Sequence, residues 1–205
     1  MTSKGNKNIV REVSLALKER KVAVVPTDTV YGLVAKATDE KAVKKVFKIK
    51  QRSIEKPLPV FVRDMAMAGK LAFLSEAQKE MLERFWPGQL TAVLKAKLKG
   101  LPAGLLNEEG KIGLRVPDYG FLLSLLREAG FPLTGTSANI SGEDSFRNAE
   151  EIISRFQKEE FQPDMVIDGG KTGAILPSTV VDLVNFEIIR KGAVPLDDIF
   201  KARKG

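Results

Sequence analysis

Lys50, Arg52 and Lys56 place three cations within a short segment, where a helical pattern gives way to a proline-bounded strand. Guanidinium and ammonium groups at that density could grip a polyphosphate through charge-assisted hydrogen bonds. They could equally be surface cations whose stems lie along the fold. A fourth cation, Arg115, stands in Ile112-Gly-Leu-Arg-Val-Pro117 among apolar neighbours. A charge in that setting must be paired or must bind an anion. An internal partner such as Asp28 or Asp182 would make it structural; without one it is an anion site. A third candidate is the hydroxyl-rich run Thr134-Gly-Thr-Ser-Ala-Asn-Ile-Ser-Gly142. Its small side chains would let a phosphate approach backbone N–H groups, unless it is a plain Ser/Asn turn. The fourth is the polar loop Pro26-Thr-Asp-Thr-Val-Tyr-Gly32, with two hydroxyls, a carboxylate and a phenol.

Two absences narrow the chemistry further. The chain has neither cysteine nor histidine. That removes disulfides, thiolate nucleophiles, sulfur- or imidazole-ligated metals and the Ser-His-Asp arrangement. What is left is electrostatic catalysis by lysine, arginine, carboxylates, hydroxyls and backbone amides, with oxygen-ligated Mg²⁺ as an accessory. The excess of 33 basic over 26 acidic side chains gives a formal charge of +7. This suits a nucleotide or RNA partner, or simply a basic surface. No apolar run is long enough to cross a bilayer and the first ten residues hold no signal-like stretch, so a cytoplasmic protein without a membrane partner is expected.

The elements that must position these groups alternate along the chain. Val22–Val25 reads as a buried strand ended by Pro26, and Leu33–Ala35 as a second strand leaving the loop. Asn8, Asp39, Asp64, Ser75, Asp118 and Asn148 are placed to cap helices. Further strands are expected over 57–62, 90–95, 112–117, 132–134, 165–168, 178–183 and 188–194, with a short helix over 195–200 and a frayed tail over 201–205. The lone tryptophan, Trp86, reads as core. Gly169-Gly-Lys-Thr-Gly173 invites a phosphate-loop reading, but that pattern requires glycine where Met165 stands, and a strand rather than a helix follows. A Gly-rich turn is the better reading. Several strands follow one another directly, so the pattern gives a single α/β domain over residues 1–205. Its architecture is a three-layer, twisted, open mixed sheet with helices on both faces.

Five segments resemble the motifs of the YrdC-like family in its short form: Pro26-Thr-Asp-Thr-Val-Tyr-Gly-Leu33, Lys50-Gln-Arg52 with Lys56-Pro-Leu58, Arg115-Val-Pro117, Ser137-Ala-Asn139, and Pro177-Ser-Thr-Val-Val-Asp182 followed by Arg190-Lys-Gly-Ala193. They occur in the family's order over residues 26–193. The resemblance implies a twisted α/β fold around a positively lined cavity. It also implies the joining of L-threonine, bicarbonate and ATP into threonylcarbamoyl-adenylate with release of pyrophosphate. Carried onto this chain, it makes Lys50 and Arg52 catalytic and assigns ATP to Arg52, Lys56, Asn139, Arg147 and Arg190. Threonine falls to Thr29, Tyr31, Arg115, Ser137 and Ser178. Mg²⁺ would accompany ATP, no organic cofactor is implied, and the product would pass to a tRNA-modifying threonylcarbamoyl transferase. Direct contact with tRNA or double-stranded RNA is a further expectation. Longer members carry a histidine where this chain has Phe61. The alternatives are an RNA-binding module and a paralogue that forms another acyl-adenylate.

Overall fold

The computed structural model describes residues 3–97, 100–173 and 176–203. In chain order the elements are α1 (Ser3–Lys18), β1 (Ala23–Val25), β2 (Gly32–Val34), α2 (Glu40–Lys50), β3 (Val60–Phe61), α3 (Met65–Leu71), α4 (Glu76–Glu83), β4 (Leu90–Lys95), β5 (Lys111–Arg115), α5 (Gly120–Ala129), β6 (Leu133–Thr134), β7 (Thr136–Ser137), α6 (Ala149–Phe156), β8 (Met165–Val166), β9 (Thr179–Asp182), β10 (Glu187–Arg190) and α7 (Leu196–Arg203).

The mixed α/β architecture is present, with its strands divided between two sheets. One has the order β7-β2-β1-β8 and the other β10-β9-β4-β5-β3-β6. Pairings β1–β8, β3–β5 and β4–β9 are parallel and the rest antiparallel. The division falls at Gly135. Before it, β6 pairs with β3; after it, β7 pairs with β2. A Cβ at residue 135 would lie 3.1 Å from three atoms of the Phe61 ring, so glycine lets the chain turn from one sheet into the other there.

The apolar run at β1 is explained by burial on both faces. Val22 and Val24 enter one core cluster with Leu33, Val43, Val46 and Leu114, while Ala23 and Val25 enter a second with Val13, Leu17, Leu122 and Leu126. A strand covered on both sides shows no alternation. The capping expectations hold at Asp39, Asp64, Ser75 and Asn148, each of which accepts a backbone N–H of its helix. Trp86 is core, its indole N–H donating to Leu90 O.

The strands expected over 57–62 and 188–194 shorten to Val60–Phe61 and Glu187–Arg190, and three helix boundaries also differ from expectation. The first helix starts at Ser3, ahead of Asn8. Helix α5 is capped by Tyr119 with no side-chain bond, because Asp118 lies one residue too early. Helix α7 runs to Arg203, its last turn basic in keeping with the helix dipole; the remainder of the tail expected to fray, 204–205, lies outside the described residues.

Candidate active site

The loop after β1 is built by its own hydroxyls. Thr27 Oγ1 donates to Val30 O at 2.7 Å, accepts the Thr29 N–H at 3.0 Å, and lies 3.0 Å from Thr29 Oγ1. The fold this imposes aims Tyr31 at the Gly-rich turn: its phenol donates to Gly170 O at 2.7 Å and accepts from Gly169 N at 3.0 Å. Burial pushes this phenol above its ordinary pKa. Gly169 is required for the close approach, since a Cβ there would meet Pro26 Cγ at 2.5 Å.

Two cavities share Thr27 and Thr29 as walls. The smaller, ≈ 110 Å³, is lined by Tyr31, Arg52, Phe61, Arg115, Ser137, Ser178 and Arg190, among others. The larger, ≈ 630 Å³, is lined by Asp28, Gln89, Tyr119, Gly169, Lys171 and Thr172 with their neighbours. Every threonine-site expectation (Thr29, Tyr31, Arg115, Ser137 and Ser178) therefore lies on the smaller cavity, together with Arg52 and Arg190. Its lining brings together three guanidiniums and no carboxylate. Partial burial, then the Arg115 charge and the Arg52 charge, pulls Arg190 below its ordinary pKa. Burial does the same to Arg52. A cavity where cations repel one another and resist desolvation is one that an anion relieves.

Each guanidinium is aimed by the backbone or a neighbour. Arg52 donates to Lys56 O at 2.8 Å and Pro57 O at 3.3 Å. Arg190 donates to Ser178 O at 2.8 Å and Ser178 Oγ at 3.1 Å, and that hydroxyl lies 2.9 Å from Thr91 Oγ1. Arg115, 4% exposed, donates through Nε to Gly88 O at 2.8 Å, through NH1 to Thr29 Oγ1 at 3.3 Å and through NH2 to Asp28 Oδ2 at 2.7 Å. Its ring neighbour is Phe61, 5.8 Å from guanidinium carbon to centroid. The internal partner considered for Arg115 thus exists and is Asp28. Asp182 instead pairs with Lys111.

Four expected residues lie off both cavities. Lys50, expected beside phosphate, lines neither cavity. Its side chain is 1% exposed, and Nζ donates to Ser137 O at 2.7 Å, Asn139 O at 2.9 Å and Asn139 Oδ1 at 2.9 Å. Three oxygens match the three donors of an ammonium, so Lys50 holds the Ser137–Asn139 loop. Burial, then the Arg52 charge, pushes its pKa down to about 7. Lys56 is exposed and lines neither cavity. Arg147 also lies off both cavities and instead donates to Thr172 O at 3.2 Å, bracing a wall of the larger one. Asn139 is buried behind Ser137, whose hydroxyl donates to its Oδ1 at 2.6 Å.

Sequence reasoning passed over Gln89 and Tyr119, and it read the 169–173 segment only as a turn. Gln89 donates to Asp28 O at 2.5 Å. The turn fails as a phosphate-loop pattern yet forms a wall of the larger cavity. The signal was the pairing of two adjacent glycines with a tyrosine loop far away in sequence, which no local pattern reveals.

The profile of the Sua5/YciO/YrdC family, described under telomere recombination, matches residues 15–192. The chain belongs to this family. A Methanocaldococcus jannaschii relative is 37% identical over 94% of this chain and 90% of its own length. The threonylcarbamoyl-AMP synthase of Bacillus subtilis is 33% identical over 93% of this chain and 55% of its own. Among solved structures, Pyrococcus abyssi Sua5 complexed with L-threonine superimposes with a TM-score of 0.88 at 34% identity, covering 96% of this chain and 57% of that one. The chain thus spans just over half the length of the Bacillus and Pyrococcus proteins. No described helix is long and apolar enough to cross a membrane.

Proposed function

We propose that this chain is a threonylcarbamoyl-AMP synthase, taking L-threonine, bicarbonate and ATP to threonylcarbamoyl-adenylate and pyrophosphate. The observation that carries this reading is the convergence of Arg52, Arg115 and Arg190 on one small cavity beside a larger one. The names of the Bacillus relative and of the threonine-bound Pyrococcus structure support it. Threonine would sit with its α-carboxylate on Arg115, bounded by Thr29, Tyr31, Ser137 and Ser178. Its amine, after releasing a proton to solvent, adds to carbon dioxide formed from bicarbonate by loss of water. A carbamate oxygen then attacks the α-phosphorus of ATP, breaking the α–β phosphoanhydride bond and expelling pyrophosphate.

Phosphoryl and nucleotidyl transfer of this kind needs positioning and charge stabilisation more than a proton shuttle, which suits a site without histidine. Arg52 and Arg190 would face the developing charge on the phosphates. Lys56, from the exposed segment that follows Arg52, with Asn139 and Arg147 as braces of the loops, would complete the nucleotide side. Mg²⁺ would travel on the ATP phosphates. The adenylate would be consumed by a tRNA-modifying threonylcarbamoyl transferase, with the basic surface available to tRNA or double-stranded RNA in a cytoplasmic setting.

Pyrophosphate release from ATP tests the proposal. Release that requires both threonine and bicarbonate is the expected result. Release indifferent to threonine, or none at all, overturns it.

A further inference from the structure

Asp28 is the acidic side chain on the cleft walls to which the proposed chemistry gives no task. Its side chain is 9% exposed, and Oδ2 accepts Arg115 NH2 at 2.7 Å. Oδ1 is buried and has no hydrogen-bond partner among the described residues. Native proteins seldom bury a polar atom unpaired without a use for it. Arg115 is in the complementary position. It has five N–H donors, and the protein takes one on Nε, one on NH1 and one on NH2. One donor remains on each terminal nitrogen.

The pair also occupies a particular place. Arg115 lines the smaller cavity and Asp28 the larger, while Thr27 and Thr29 line both. The ion pair therefore stands in the partition between the two. It offers unused donors beside an unused anionic acceptor, which is the inverse of an α-amino acid head. We propose that Asp28 Oδ1 receives the α-ammonium of the amino-acid substrate while Arg115 takes its carboxylate, so that the pair reads the zwitterion as a unit. This rests on the reading above that the substrate is an amino acid.

The arrangement has an electrostatic reason. A neutral pair receiving a neutral head adds no net charge to a buried place, whereas either partner alone would be left uncompensated. It also confers selectivity. A hydroxy acid of the same shape satisfies Arg115 but leaves Asp28 unpaired, and sites built to bond a substrate N–H reject such analogues strongly.

Titration calorimetry with two probes, L-threonine and 3-hydroxybutanoate, tests this. The second keeps the carboxylate and hydroxyl and lacks the amine. The wild-type protein should prefer threonine by at least about tenfold, and Asp28→Asn should remove that preference by weakening threonine alone, leaving 3-hydroxybutanoate within about twofold. A variant that keeps the preference overturns the proposal. So does one that loses both ligands equally, which is the mark of a structural role. The wild-type comparison stands even if the variant does not fold: equal affinity for the two probes overturns the proposal by itself. Wild-type protein that binds no α-amino acid removes the functional reading, an outcome distinct from binding threonine without help from Asp28.

Discussion

Lys50 and Asn139 are joined twice, the lysine Nζ donating to the backbone carbonyl and to Oδ1 of Asn139, both at 2.9 Å. With the third bond to Ser137 O, the side chain fastens the end of α2 to the loop that faces the smaller cavity. Lys50→Met keeps an unbranched stem and removes all three donors. Leaving buried acceptors unpaired should lower the unfolding free energy by about 1–3 kcal/mol. Urea titration measures this, and an unchanged midpoint with unchanged slope would show that the loop does not depend on the lysine.

The same residue should imprint a pH dependence on stability. Its pKa is about 7 in the fold against 10.5 ordinarily, so between those values the unfolded chain binds more protons than the folded one. Stability therefore rises with pH across that window, by at most ~1.4 kcal/mol per pH unit from this group. Below pH 7 the full cost of the buried ammonium is present. Unfolding curves at pH 7, 8 and 9 should show the rise in the wild type and its absence in Lys50→Met. Parallel profiles would contradict it.

Arg52→Ala should weaken ATP binding by about 1.5–3 kcal/mol, the worth of a charge-assisted contact. Its present bonds are to two backbone carbonyls of a half-exposed loop, so the melting temperature should hardly move. Equilibrium nucleotide binding and differential scanning fluorimetry give the two readings. ATP affinity equal to wild type would take Arg52 out of the site.

Arg115→Lys cannot satisfy Gly88 O, Thr29 Oγ1 and Asp28 together, because one ammonium replaces three nitrogens fixed in a plane. The ion pair with Asp28 means that melting temperature falls whichever role the arginine has. The threonine dependence is decisive: the half-saturating concentration should rise at least ~10-fold, about 1.4 kcal/mol. A less stable enzyme with unaltered threonine dependence would leave Arg115 purely structural.

Gly192 lies where the chain leaving β10 crosses Pro177 and Ser178. A Cβ there would stand 2.4 Å from Pro177 O and 2.5 Å from Ser178 C. Backbone cannot yield as a side-chain tip can, so Gly192→Ala should destabilise by about 3 kcal/mol, the upper end of overpacking costs. It should also displace Ser178 and with it the Arg190 guanidinium. Thermal unfolding and threonine affinity should both fail; a fully active variant would show that this crossing is looser than described.

Much of this was legible in the sequence because it rests on local physics. Caps at Asp39, Asp64, Ser75 and Asn148 need only a side chain and the next turn. Burial of Val22–Val25 on both faces shows as an unbroken apolar run. The gathering of Arg52, Arg115, Ser137, Ser178 and Arg190 came from motif resemblance, since nothing local ties residues so far apart. What stayed hidden depends on three-dimensional approach. Lys50 and Arg52 look alike as neighbouring cations, yet one turns inward to carbonyls and the other toward the cavity. The split into two sheets falls at Gly135, where the Phe61 ring packs too close for a Cβ to fit without a shift.

The three guanidiniums of the smaller cavity come from residues 52, 115 and 190, and the last sits on β10, the edge strand of the larger sheet. During synthesis from the amino terminus, β1 through β8 are all made before Arg190 exists. The mutual repulsion of the trio is thus met in one late event, the docking of the β9–β10 hairpin. An anion bound in the cavity would offset that repulsion as the hairpin arrives. On the proposed reading, a bound nucleotide would therefore favour completion of the larger sheet as well as serve turnover.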